Sequence, residues 1–288
     1  MTAALKIVPD FVPSVWEERF FAYGRARELH AQFDRLMRHP ASDRPPGLLV
    51  VGVTNNGKTS LLRSYQRRFP AQVTPDADVG RTPIVYVQAP GDGQARSFYI
   101  SILNELGGWF ARGTPTSQLK HMATQLLIKQ DLRVLMIDEL HNLLGTTAYQ
   151  RGKFLVELRE FYNALRRPII AAGIETAQKV ISKDEQLANR FPPAPLPLWG
   201  PNEELVALLA QFEKTFGFAG ESLMGQPELY GRILQMAEGR LGEIVTVVRK
   251  CAELAFSDDT DRIEPSTLDR IDYLPPSKRE HVGSPKLH

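Results

Sequence analysis

The stretch Gly52-Val53-Thr54-Asn55-Asn56-Gly57-Lys58-Thr59 constrains this chain more than any other, because it fits G-x-x-x-x-G-K-[ST] in the context that pattern needs. Leu48-Leu49-Val50-Val51 before it reads as a buried strand, and Ser60-Leu61-Leu62-Arg63-Ser64-Tyr65 after it opens a helix. A strand, a glycine loop and a helix N-terminus together make a phosphate cradle. The glycines let backbone N–H groups crowd the phosphate oxygens, and the helix end adds positive potential. The expected ligand is ATP, held by Gly52, Thr54, Asn55, Asn56, Gly57, Lys58, Thr59 and Ser60. Lys58 reaches the terminal phosphates and the Thr59 hydroxyl holds Mg²⁺.

A second motif narrows the first. Arg133-Val134-Leu135-Met136-Ile137-Asp138-Glu139 is an apolar strand ending in two carboxylates. Asp138 is placed to order the Mg²⁺ shell beside Thr59, and Glu139 to polarise water for attack on the γ-phosphate, a general-base role. Pro83-Ile84-Val85-Tyr86-Val87-Gln88, lying between the motifs, reads as another strand. That order predicts a phosphate-loop strand separated from the carboxylate strand by an inserted one.

At 288 residues the chain is long enough for one large domain or a large one with a small companion. Its 43% hydrophobic and 24% charged residues are ordinary for a globular protein. No apolar run approaches the roughly 18 residues of a membrane span, and no signal-peptide pattern opens the chain. Cys251 is the only cysteine and reads as a buried helix position, so a cytoplasmic protein without membrane contact is expected. With six scattered histidines no zinc-type cluster is expected. A net charge of +2 means that any nucleic-acid contact must come from a local patch.

Four regions are expected. Residues 1–45 read as an N-terminal arm, with an extended start around Pro9, Pro13 and Trp16 and an amphipathic helix over 26–38. From 46 to 200, strands at 48–53, 83–88, 133–138 and 168–172 alternate with helical patterns, which marks an α/β parallel sheet with helices on both faces. The proline-dense passage 192–199 reads as a short edge strand inside a linker. Residues 201–274 read as a small all-α lid, with helices over 203–216, 227–237, 242–255 and 265–271. Residues 275–288 read as a basic, disordered tail.

A sheet domain followed by a helical lid resembles AAA+ ATPases, and the resemblance implies further roles. Arg190, in Leu187-Ala188-Asn189-Arg190-Phe191, stands where such proteins carry an arginine that acts on a neighbouring subunit's γ-phosphate. Lys183 and Asp184 read equally as interface or plain surface residues, and His141 equally as structural or as a sensor. Many AAA+ lids place a sensor arginine at the start of a lid helix. Here Glu243 occupies that position and Arg240 lies one turn earlier, so the identity of the sensor stays open between them. Two loops, 90–97 and 109–117, each offer an arginine with hydroxyls or N–H groups suited to phosphate contact without base reading.

A close resemblance is carried by Leu48 to Gly52 leading to Asn55-Asn56-Gly57-Lys58-Thr59, by Ile137-Asp138-Glu139-Leu140-His141-Asn142-Leu143-Leu144, and by Asp184-Glu185-Gln186-Leu187-Ala188-Asn189-Arg190-Phe191 followed by Leu196-Pro197-Leu198-Trp199. Together these resemble the TniB proteins, relatives of TnsC, AAA+ regulators of DNA transposition. The resemblance implies ATP and Mg²⁺ as cofactors, hydrolysis as an assembly switch, and rings or filaments on double-stranded DNA with little sequence preference. It implies a DDE-type transposase and a TniQ-type targeting protein as partners. It also points to Arg96, Arg112 and Thr114 as contacts to the DNA backbone. The alternatives are a helicase-loader or IstB-like ATPase, and a STAND-type signalling ATPase that needs no DNA.

Overall fold

Strands β1 (Gly47–Val51), β3 (Val134–Asp138) and β4 (Ile169–Gly173) are buried at every position, so both sheet faces are covered. That is why they are written as unbroken apolar runs rather than as alternations. With β2 (Ile84–Gln88) and β5 (Pro193–Pro195) they form a five-stranded parallel sheet in the order β2-β3-β4-β1-β5. The protein is represented by a computed structural model that describes residues 20–72, 80–216, 224–260 and 262–279. The extended start around Pro9, Pro13 and Trp16 lies outside the described residues.

An inserted strand does separate β1 from β3, but it is β4, which follows both motifs in sequence. β2, which lies between the motifs in sequence, is instead an outer strand, paired with β3 alone among the described residues. At the other edge, Pro193 and Pro195 have no N–H to give, and the pairing is carried by their neighbours. Leu49 N donates to Pro192 O at 3.1 Å, and Leu196 N donates to Val51 O at 2.7 Å.

The described residues divide into two compact units: those of 25–53 and 58–196, and a helical unit that takes those of 20–24 and from 197 onward together with Thr54–Gly57. In the sheet unit, α1 (Gly24–Met37) buries Ala26, Leu29 and Phe33, and α2 (Lys58–Gln66) carries the chain away from the phosphate loop. Tyr65 of α2 donates to Asp34 of α1 at 2.6 Å, so the helix expected in an N-terminal arm is packed into the sheet unit. Helices α3 (Ala95–Glu105) and α5 (Ala148–Leu165) meet through the rings of Phe98, Tyr99, Phe154 and Phe161, and α4 (Thr116–Lys129) adds Leu119, Ala123 and Leu127 to the same core. Short helices α6 (Glu175–Ile181) and α7 (Glu185–Ala188) follow β4.

The helical unit contains α8 (Glu203–Phe216), α9 (Pro227–Ala237), α10 (Leu241–Ser257), α11 (Pro265–Arg270) and α12 (Pro276–Arg279). Leu205, Leu209, Phe212, Leu229, Ile233, Val247 and Val248 form its core around Cys251, whose thiol burial pushes up to about 12. Glu238 and Gly239, both at positive φ, end α9 and turn the chain into α10, a left-handed C-cap that glycine tolerates best. The passage after Leu274, read as disordered from its prolines, contains α12, because its residues find partners in this unit; residues from 280 onward lie outside the described residues.

Candidate nucleotide site

The phosphate loop leaves β1 at Gly52, whose N–H donates to Gly173 O at 3.2 Å. Asn55 (φ 61°) and Gly57 (φ 83°) supply the left-handed turns that bring the chain round to α2; asparagine and glycine are the residues that accept that geometry most readily. Lys58, the first residue of α2, folds back so that Nζ donates to Gly52 O at 3.0 Å and Val53 O at 2.8 Å. Burial lowers its pKa, with the charges of Glu139 and Asp138 working in the opposite direction. The ammonium is thus desolvated and attracted by the two carboxylates that end the second motif.

Thr59 Oγ1 donates to Asp138 Oδ2 at 2.6 Å. Asp138 is fully buried at the end of β3, yet every contact on it is a donor: Thr59, the Tyr86 hydroxyl at 2.8 Å, and Glu139 N–H to Oδ1 at 2.8 Å. Burial and the Asp138 charge push the Tyr86 phenol up to about 12, which keeps it a donor, and Arg63 lies 3.6 Å over the Tyr86 ring. A hydroxyl and a carboxylate in contact offer the hard oxygen ligands that Mg²⁺ prefers, so the residues fit that ion.

Glu139 adopts φ 55°, a left-handed conformation uncommon for glutamate, as it caps a 3-10 turn over Leu140–Gly145. Its Oε2 lies 3.1 Å from His141 Nε2, while His141 Nδ1 is buried without a protein partner. The arrangement fits an Nε2–H donor holding the glutamate side chain, a role that spacing alone did not separate from a sensor. Ser60, Thr54 and Thr59 are exposed.

The crown of the loop belongs to the helical unit. Asn55 O accepts from Gly242 N at 2.8 Å, and Asn55 Nδ2 donates to Glu243 Oε1 at 2.9 Å. Asn56, 1% exposed, accepts from Leu241 N at 3.2 Å and donates to Pro197 O at 2.9 Å. Their side chains are therefore taken up by α10 and the segment before α8. Of the two lid candidates, Arg240 is the N-cap residue of α10 with its guanidinium 3.8 Å from Glu238, and Glu243 is buried.

Arg190 follows α7 beside a cleft of about 740 Å³ that Arg44, Asn163, Gln186 and Asn189 also line. Its guanidinium donates to Asn163 Oδ1 at 2.8 Å and stacks over Tyr162. Asp184 is engaged structurally, capping α7 through Leu187 N and pairing with Arg159 at 2.7 Å. Arg96, in the first turn of α3, donates to the main-chain oxygen of Thr114, and exposed Arg112 lies two residues before Thr114 on the same loop. The three candidate DNA contacts therefore cluster, although the Thr114 hydroxyl is turned back to Ala111 O at 2.8 Å.

A parallel sheet in this order, with a phosphate loop after β1 and paired carboxylates ending β3, defines a P-loop AAA+ ATPase fold. Solved structures share it. ORC1 of Aeropyrum pernix in complex with DNA superposes with a TM-score of 0.62 at 14% identity, over 91% of this chain and 66% of that one. Aeropyrum pernix ORC2 in its ADPNP-ADP complexes gives 0.64 at 16% identity, over 89% and 70%, and AMPPCP-bound DnaA of Aquifex aeolicus gives 0.54 at 15%, over 87% and 66%. The chain thus spans about two thirds of the length of these structures. The family described as bacterial TniB protein matches residues 12–201, and the chain belongs to the TniB family. No curated protein matches it.

Among the described residues, no helix is long and apolar enough to cross a membrane, and no three or more His, Cys, Asp or Glu side chains group together as a metal site would need.

Proposed function

We propose that this chain is an ATP-dependent regulator of DNA transposition that assembles on target duplex DNA and recruits or activates a DDE-type transposase, with a TniQ-type protein as a further partner. The observation that carries the reading is the Thr59–Asp138 contact next to Glu139, in a member of the TniB family. The DNA in the ORC1 complex belongs to that protein, but it supports looking for duplex on the same fold.

Lys58 meets the terminal phosphates, exchanging its two carbonyl partners for phosphate oxygens. The loop's N–H groups and the α2 N-terminus orient the polyphosphate. Thr59 and Asp138 would hold Mg²⁺, which supplies charge neutralisation on the phosphate oxygens. Glu139 orients and deprotonates the attacking water, while His141 fixes where its carboxylate points. Arg190 acts on the nucleotide of a neighbouring copy, so that hydrolysis follows assembly and ends it.

Arg96 and Arg112 carry the DNA contact. Each copy makes few phosphate contacts, so affinity accumulates over many copies on one duplex and falls steeply with salt. In a salt titration with ATP, removing both arginines is expected to flatten the salt dependence and weaken binding about equally on all sequences, leaving nucleotide binding unchanged. Binding equal to wild type across the titration would remove this surface from the account. Absence of ATP-dependent duplex binding by wild type would overturn the transposition reading.

A further inference from the structure

Glu243, in the first turn of α10, is a carboxylate 4% exposed and surrounded by donors. Arg279 grips it with both terminal nitrogens, NH1 to Oε1 at 2.8 Å and NH2 to Oε2 at 2.7 Å. The Tyr273 hydroxyl donates to Oε2 at 2.6 Å, and Asn55 Nδ2 donates to Oε1 at 2.9 Å. Burial opposes ionisation, yet these bonds and the Arg279 charge hold the acid down to about 2. It is therefore a fixed anion whose partners come from two places far apart in sequence: the crown of the phosphate loop and the segment after α11.

That segment is itself anchored. Arg279 Nε donates to Leu274 O at 2.8 Å, and its guanidinium stacks 5.4 Å over Tyr273. Ser277 N donates to Glu238 Oε1 at 2.9 Å, and Lys250 of α10 donates to Asp272 O at 2.7 Å. These contacts fix the segment against the α9–α10 turn and the body of α10. Asn55 sits at the left-handed corner of the loop, so a bond to its side chain acts on the backbone that presents N–H groups to phosphate.

We propose that residues 273–279 are a latch on the nucleotide loop: Arg279 and Tyr273 position the Glu243 carboxylate, and Glu243 positions Asn55, so that ATP affinity depends on the chain's own C-terminal segment. Glu243, Arg279 and Tyr273 are positioning residues, with no contact to nucleotide required of them. The latch rests on the ATP-binding reading above and adds a determinant that lies beyond the residues matched by the TniB family.

The test is equilibrium binding of a fluorescent ATP analogue with Mg²⁺ to the full chain, alongside thermal melting without nucleotide. Arg279→Ala, at an exposed position, is expected to raise the Kd by about tenfold, the scale of one lost charge-assisted hydrogen bond. Arg279→Lys, which keeps the charge but not the bidentate grip, is expected to recover part of the loss. In an Asn55→Ala background, Arg279→Ala should change the Kd no further, because its route to the loop is gone. A merely structural role would lower the melting temperature and leave the Kd of the folded protein unmoved. Equal affinity in wild type and Arg279→Ala, or a full tenfold loss persisting in the Asn55→Ala background, would overturn the latch alone. Lys58→Ala serves as the separate control: if wild type binds no analogue, or Lys58→Ala binds as well as wild type, the ATP reading fails and the latch with it.

Discussion

The two parts of the phosphate loop are held by different chemistry. Toward α2, Lys58 is held by two backbone carbonyls and Thr59 by the Asp138 carboxylate, which are exchangeable contacts around groups suited to phosphate and a divalent cation. At the crown, Asn55 and Asn56 are held by Glu243, by the N–H groups of Leu241 and Gly242, and by Pro197 O, contacts that build the helical unit. In the proposed function the motif's fixed positions, Gly57, Lys58 and Thr59 among them, supply the nucleotide chemistry. Its variable positions carry what is particular to this chain, because there the side chains are free to bond to something other than the ligand.

The largest effect that can break this division is expected at Lys58. Lys58→Ala should abolish measurable ATP binding by calorimetry, since the terminal phosphates lose their cation, while the melting temperature of the nucleotide-free protein changes little. Affinity within a few-fold of wild type would contradict the assignment of nucleotide chemistry to this part of the loop.

A smaller effect is expected at the crown. A Cβ on Gly242 would lie 2.0 Å from Asn55 Oδ1 and 2.9 Å from Asn55 O, so Gly242→Ala must displace Asn55. It should lower the melting temperature by a few degrees, roughly the cost of overpacking one site, and weaken ATP binding severalfold without abolishing it. Unchanged melting and affinity would show that the crown is not held as described.

The smallest effect is confined to acid. Glu243 is ionised in the folded protein down to about pH 2 but only to its ordinary value when unfolded, so its contribution is complete above roughly pH 4.5 and is lost as pH falls toward 2. Glu243→Gln should remove this part of the acid dependence of melting between pH 5 and 2. An identical acid profile in the variant would argue against the buried anion.

Much of this was legible in the sequence for one physical reason: strands covered on both faces are written as uninterrupted apolar runs, and a phosphate loop needs its glycines and lysine in fixed register. Which strand is inserted was not legible, because parallel pairing joins residues such as Leu48 and Ile170 that no local pattern links. The proline-rich 192–199 passage could be placed at an edge because proline cannot donate in a sheet interior. Tyr273 and Arg279 escaped notice because their partner Glu243 lies 30 and 36 residues away, and because the prolines after Leu274 made the stretch that holds Arg279 read as disorder. The pairing of His141 with Glu139 could have been suspected from their two-residue spacing, but only the left-handed turn at Glu139 brings the side chains together.

The central claim is that Glu139 is the base of an ATPase completed between copies by Arg190, and complementation tests it most directly. Glu139→Gln should bind ATP yet hydrolyse it about a hundredfold more slowly, within the range ascribed to a lost general base. Arg190→Ala should bind ATP as a monomer and fail to hydrolyse it. Mixed on duplex DNA, the two inactive variants form some interfaces in which an intact Glu139 meets an intact Arg190, and ATPase activity should return. Hydrolysis at the wild-type rate by Glu139→Gln alone, or no recovery in assemblies shown to contain both variants, would contradict the account.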